Sequence, residues 1–166
     1  MKRQRKKYQT PTRPWDKARI ESEKILLKNF GLKSKREIWK SQAMLRKYRR
    51  LARELAGKKD DEKQKVLMDR LMRFGILTKD ATLDTVLGLA IEDFLNRRLQ
   101  TILHKRGLAN TPKQSRQFIT HGQVAIDNRR VSYPSYMVPV DEEDRIIVKI
   151  NPVRKAIKSE ANGTAG

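Results

Sequence analysis

The chain has 166 residues, of which 37% are hydrophobic and 35% charged, enough for one ordinary domain or two small ones with a modest core. Thirty-nine Lys and Arg face 19 Asp and Glu, a net charge of +20, so a polyanion is the expected partner, with membrane surfaces and acidic proteins as the other candidates. The absence of cysteine excludes disulfides and thiolate zinc sites and fits a reducing cytosol. No apolar run approaches the roughly 20 residues that cross a bilayer.

In chain order, residues 1–13 are basic, polar and broken by proline, and read as an extended arm that orders only on a partner. No apolar segment follows, so the arm is not expected to be a secretory signal. Pro14 suits the first turn of a helix in which Trp15, Ala18, Ser22, Ile25 and Leu26 share a face, stopped by Gly31. "SKRE" at 34–37 reads as a capping box. The helix behind it places Ile38, Ser41, Leu45, Tyr48, Ala52 and Leu55 on one stripe and Arg46, Lys47, Arg49, Arg50 and Arg53 on the other, ending at Gly57. A third helix is expected from about Asp61 to Phe74, with Leu67, Leu71 and Phe74 inward and Gly75 closing it.

A short helix, an interruption at Gly88 and a longer helix from about Glu92 to Arg106 follow, the latter with Leu95, Leu99, Ile102 and Leu103 as its buried stripe. "TPKQ" at 111–114 is a second capping box with proline at the first helical position, opening a short helix that turns Phe118 and Ile119 inward and ends at Gly122. Val124 and Ile126 then alternate as a half-buried strand does. Asp127-Asn128 reads as a tight turn, "RRVSYPSYMV" as the return kinked at Pro134, "PVDEED" as another turn, and "RIIVKI" as a last strand. The tail, residues 151–166, reads as flexible.

The charge is uneven. Residues 1–59 hold 21 Lys/Arg against 5 Asp/Glu, whereas residues 60–94 hold 5 against 8, and residues 95–130 hold 8 against 1. The acidic interval between two basic blocks suggests a boundary, with a helical domain over 14–91 and a second unit over 92–150. Balancing acids are scarce on the helix of Arg46, Lys47, Arg49, Arg50 and Arg53, and phosphates would relieve the repulsion. The helix after Thr111 offers free amides and a positive dipole end, and Lys113, Arg116 and Gln117 share one face. Arg97, Arg98, Lys105 and Arg106 belong to the partner helix, and Arg129 and Arg130 to the hairpin. Thr111, Gln114, His121 and Asn128 add donors suited to a shaped, folded RNA, and exposed aromatics for base stacking are sparse.

Catalytic signals are weak. No phosphate loop, dinucleotide-binding glycine pattern or zinc-protease helix is present, and His104 and His121 lack a spacing that suggests a Ser-His-Asp set. His121 reads either as a helix C-terminal donor to free carbonyls or as a contact to phosphate or base. "DEED" at 141–144 lacks the ligand spacing of a calcium loop and reads as a solvated turn.

Residues 95–148 resemble the RNA-binding domain named after small-subunit ribosomal protein four. The counterparts of its pattern are Arg98-Leu99-Gln100, Gly107-Leu108-Ala109, Arg116 with Ile119, His121-Gly122-Gln123-Val124 and Asn128-Arg129-Arg130-Val131. "RKKYQTPTRPWDKARI" and "LLKNFGLKSKREIWK" look like the N-terminal region of the ribosomal protein family itself, in its archaeal and eukaryotic branch. The chain departs from many bacterial members in lacking an N-terminal cysteine cluster, and from many members in carrying Asp-Asn where they have Asn-Gly.

The resemblance implies an α+β protein: an N-terminal helical domain, then two helices packed on a short antiparallel sheet. It implies a non-enzyme that binds small-subunit ribosomal RNA directly and early in assembly, beside neighbouring small-subunit ribosomal proteins, near the messenger entry side and with an influence on decoding accuracy. The expected location is the cytoplasmic ribosome, with no cofactor, no membrane and no small-molecule substrate. An RNA-modifying enzyme carrying this domain and a basic DNA-packaging protein are the competing readings.

Overall fold

A computed structural model describes residues 6–58, 60–78 and 80–149. The expected arm is therefore seen only from residue 6, and the expected tail lies outside the described residues. Residues 6–13 have no regular structure, but they are not free of the protein. The Tyr8 ring lies 5.9 Å from that of Trp39, and Arg19 donates to the carbonyls of Arg13 (2.9 Å) and Pro14 (3.0 Å).

Helix α1 spans Lys17–Asn29, later than the position of Pro14 suggests, because the Asp16 side chain caps it by accepting from the Arg19 amide. The apolar face expected for it is not buried: Trp15 is 90% exposed and Ile25 60%. A polar contact holds this helix instead. Glu23, the one α1 residue that is buried, accepts from Trp39 Nε1 (3.0 Å) and Arg19 (2.8 Å) and lies 3.4 Å from Lys35 Nζ.

Helix α2, Lys35–Lys58, buries the stripe read from its periodicity, Ile38, Ser41, Leu45, Tyr48, Ala52 and Leu55, and runs through Gly57 instead of stopping there. Helix α3, Asp61–Arg73, buries Leu67, Met68 and Leu71, with Phe74 only half-buried after it. These two helices enclose a first core with Val86 of α4 (Leu83–Gly88), Leu89, and Phe94 of α5 (Ile91–Asn96). Each such aliphatic side chain taken out of water contributes about 1.5–3 kcal/mol.

The single helix expected from Glu92 to Arg106 is two helices. α5 ends at Asn96, and α6 spans Leu99–Lys105. Arg98 between them is extended (ψ 142°) and bridges Met137; Leu99 N–H donates to Tyr136 O (2.8 Å) and Val138 N–H to Arg97 O (3.0 Å). A backbone ladder to a distant segment thus replaces helical hydrogen bonds at that point. It also sends neighbouring residues to different cores: Met137 packs on the first, Val138 on the second.

The second core joins Leu99, Ile102 and Leu103 of α6, Ile119 of α7 (Pro112–Thr120), Val124 and Ile126 of β1 (Val124–Ile126), Val138, and Ile146 of β3 (Ile146–Val148). Strand β2 is only Arg129–Arg130, and the sheet order is β2-β1-β3, antiparallel throughout. Asp127 and Asn128 both have positive φ (48° and 65°), the backbone of a two-residue hairpin with the right twist. The acidic turn at 141–144 contains a helical turn, α8 (Val140–Glu143). The architecture is α+β, with helices packed on a small three-stranded sheet.

Candidate nucleic-acid interface

Thr111 caps α7 as the sequence suggests, and at both helix starts the returning side chain, Gln114 or Glu37, reaches an amide one residue further out than the capping residue. Thr111 Oγ1 accepts from the Gln114 amide (3.2 Å), while Gln114 Oε1 accepts from Asn110 N–H (2.9 Å). At α2, the Glu37 amide donates to the Ser34 carbonyl (3.1 Å), not to the expected hydroxyl, and Glu37 accepts from Lys33 N–H (3.2 Å). α7 therefore starts with its first amides and positive dipole end close to Lys113.

The basic residues divide by environment. Arg46, Lys47, Arg50 and Arg53 are exposed on α2, as are Lys105 and Arg106 at the end of α6, Thr111, Lys113 and Gln117 along α7, and His121, Asn128, Arg129 and Arg130 at the hairpin. Arg50 lies 3.4 Å from Glu54 with both side chains solvated, a pairing worth little. Arg106 pairs with Asp144, and Arg130 Nε donates to Gly122 O (2.6 Å). The expected donation from the His121 ring to helix-end carbonyls is not seen; His121 lines a cavity of about 470 Å³ with Asn128, Arg130 and Lys149.

Four expected phosphate contacts are turned inward. Arg49 donates to Leu89 O (2.6 Å). Arg97 donates to Val138 O (3.1 Å) and pairs with Glu143 (2.9 Å). Arg98 is only 5% exposed and pairs with Glu37. Arg116 grips the same carboxylate with both terminal nitrogens (3.0 and 3.2 Å) and donates to Gln100 Oε1 (3.2 Å). Arg97 has its own carboxylate, Arg98 and Arg116 share that of Glu37, and Arg49 directs a donor to a backbone carbonyl, so these arginines join parts of the protein. They do not form the solvent-facing surface assigned to them from sequence.

Lys47 also belongs to a second group of cations, whose other members lie outside the basic faces expected from sequence. A groove of about 1330 Å³ between α2, α3 and residues 134–137 is lined by Lys33, Lys40, Lys47, Lys58, Lys63 and Arg70, with Met44 and Val66 among its apolar walls. Lys33, Lys40 and Lys47 recur every seven residues, a helical spacing that marks one edge of α2 and its approach. The seven-residue spacing is the sequence signal that marks this edge. Among the described residues no group of three or more His, Asp and Glu could hold a metal ion, and no helix is long and apolar enough to cross a membrane.

Two carboxylates carry shifted affinities for protons. Burial alone would raise Glu37, but the hydrogen bond from Arg116 and the charge of Arg98 outweigh it and hold the group below its ordinary value of 4.5. Burial likewise opposes ionisation of Glu23, and hydrogen bonds from Trp39 and Arg19 with the Arg19 charge bring it below 4.5 as well. A carboxyl whose folded value is depressed contributes stability above its unfolded value, and that contribution is lost as pH falls through the folded value. Thermal stability is therefore expected to drop as pH falls below about 4.5, and Glu37→Gln should flatten that dependence. Unfolding curves collected between about pH 3 and pH 7 check this; an equal drop in the variant would contradict it.

The small sheet, with α6 and α7 packed on it and cations along the outer edge of α7 and the hairpin, defines an S4 domain, and the S4 domain family matches residues 97–146. Whole-chain comparisons extend the likeness beyond that module. The chain is 45% identical over 159 residues to "Small ribosomal subunit protein uS4" of Methanothermobacter thermautotrophicus, covering 93% of each chain. It is 45% identical over 148 residues to the protein of that name from Korarchaeum cryptofilum (88% of this chain, 89% of the relative). It is 50% identical over 145 residues to that of Methanococcus aeolicus (85% and 82%). The chain belongs to the small ribosomal subunit protein uS4 family.

Proposed function

We propose that this protein is a structural, non-catalytic component of the small ribosomal subunit that binds small-subunit ribosomal RNA directly, through exposed cations on α2, α7 and the β1–β2 hairpin. The observation that carries the reading is that an S4 domain, with Lys113, Gln117 and Arg129 solvent-facing, adjoins a helix presenting Arg46, Lys47, Arg50 and Arg53 to solvent. In this reading the chain divides near residue 92 into a helical unit and the S4-domain unit, and neighbouring ribosomal proteins complete its surroundings. An early place in assembly and an influence on decoding accuracy follow from the same family membership. The location is the ribosome of the cytoplasm.

Sedimentation of the tagged protein through a ribosome gradient tests this. Co-migration with the small subunit is expected, and a protein found only at the top of the gradient would refute it. Affinity for folded ribosomal RNA should also fall steeply with salt, each phosphate contact adding roughly 0.7 to 0.9 to the log–log slope. With two basic faces engaged, a slope magnitude above about 3 is expected in a titration from low to moderate salt.

A further inference from the structure

Glu37 joins elements that are far apart in the chain. It sits in the first turn of α2, the helix that carries one basic face. Its carboxylate is held by Arg98, which lies between α5 and α6, and by Arg116 of α7, the helix that carries the other face. Beneath it, Gln100 is fully buried. Its Nε2 lies within 3.0 Å of the carbonyls of Phe30, Gly31 and Pro112, and its Oε1 accepts from Arg116. One side-chain amide thus ties the α1–α2 corner to the start of α7.

A separate feature marks the same junction as close-fitting. Gly31 has φ +57°, and a Cβ built there would lie 2.8 Å from the Pro112 Cβ and 3.0 Å from its carbonyl carbon. The corner between α1 and α2 therefore rests directly on the first residue of α7, backbone against backbone. The buried apolar residues on the two sides form separate clusters, with the neighbouring Met137 and Val138 packed one against each.

We propose that Glu37, with Arg98, Arg116 and Gln100, is a positioning device for RNA binding: it fixes the angle between the basic face of α2 and that of α7, so that both engage one folded RNA at once. The proposal rests on the RNA-binding reading above. Two faces held in a matching geometry act as one multivalent site, and their combined affinity is forfeited when the geometry no longer fits both. Glu37 itself touches no RNA in this account. Its negative charge lies among cations, and by charge alone it weakens attraction to a polyanion.

That opposition of signs makes the test sharp. Glu37→Gln removes a negative charge, so attraction by charge alone predicts tighter binding. Loss of the fixed angle predicts binding weaker by about tenfold or more at constant salt, with a smaller log–log salt slope. The second readout is the distance between spin labels on Ala56→Cys in α2 and Thr120→Cys in α7, both exposed in a chain without native cysteine. It is taken in the free protein well below the unfolding temperature. A narrow distribution is expected with Glu37 present, and a broader or shifted one in the Glu37→Gln variant. Weaker binding together with the altered distribution upholds the proposal. Equal or tighter binding overturns it, and so does weaker binding with an unchanged distribution. If Glu37→Gln does not fold, Arg116→Lys is read in the same way; it keeps the charge and loses the two-pronged grip. Failure of the unsubstituted protein to bind folded ribosomal RNA would sink the functional reading, and the label distances would still decide whether Glu37 sets the angle.

Discussion

Reversing the charge at Arg116 is expected to destabilise the protein strongly, whereas the same reversal three residues earlier, at Lys113, should leave the fold intact. Both residues lie on α7, and the sequence alone points both toward a phosphate. Lys113 is exposed, and a surface reversal there should change stability by less than about 1 kcal/mol. Arg116 holds both oxygens of Glu37 in a half-buried setting. Arg116→Glu sets two carboxylates against each other, with Arg98 as the remaining cation, and strands the acceptor oxygen of Gln100. Breaking a buried pair from one side costs about 3–5 kcal/mol because the surviving charge is left without compensation. That is a large share of the roughly 5–15 kcal/mol by which domains are stable. RNA affinity separates the two in the opposite way. Lys113→Glu replaces an attractive contact with a repulsive one and should weaken binding by about 1–3 kcal/mol while the protein still melts normally. Thermal unfolding and RNA titration of each single variant check both halves. A stable Arg116→Glu protein would show that the inward grip on Glu37 is dispensable.

The other large effect is expected in the first core. Phe94 is 2% exposed and stacks on Tyr48, with ring centroids 5.6 Å apart and planes 20° from parallel. Phe94→Ala removes the ring from between α2 and α5 and leaves a cavity that a helix pair cannot readily close. A loss of about 3–5 kcal/mol is expected. For a protein of this length each kcal/mol moves the melting temperature by about 2–4 °C, so a fall of roughly 6–20 °C should be seen by circular dichroism. Trp15→Ala is the paired control. This larger aromatic is almost wholly solvated, and its removal should cost less than about 0.5 kcal/mol. If Trp15→Ala proves the more damaging of the two, the first core has been assigned to the wrong aromatic.

Trp15 and Phe94 also show where the sequence is legible. The buried stripe of α2 can be read residue by residue, because 24 residues of regular helix give its 3.6-residue period many turns in which to repeat. The hairpin at Asp127-Asn128 is legible for a local reason too, since few residue types tolerate positive φ. α1 fails the same periodicity argument. Its apolar residues do share a face, but the helix docks through Glu23, and periodicity reports which residues align without saying which face finds a partner. The break at Arg97-Arg98 and the inward turn of Arg98 and Arg116 are invisible for another reason. Glu37 lies 61 and 79 residues away from Arg98 and Arg116, and no window of local sequence contains both ends of those pairs. An arginine in a run of cations looks like a surface residue until its distant carboxylate is located. The candidate interface is accordingly legible as two basic helices and a basic hairpin, while the division of their arginines between solvent and interior is not.

The separation of Glu37 from its partners also bears on how the chain is made. During synthesis α2 emerges from the exit tunnel before Arg98 and Arg116 have emerged, so the nascent helical unit first carries Glu37 with neither counterion. Segments fold in the order in which they leave the ribosome, and contacts between residues far apart in sequence form last because a long loop must close first. The buried members of the first core end at Phe94, before those of the second begin, although Met137 packs against the first later. The two-pronged grip on Glu37 then waits for Arg116, which is translated 79 residues later.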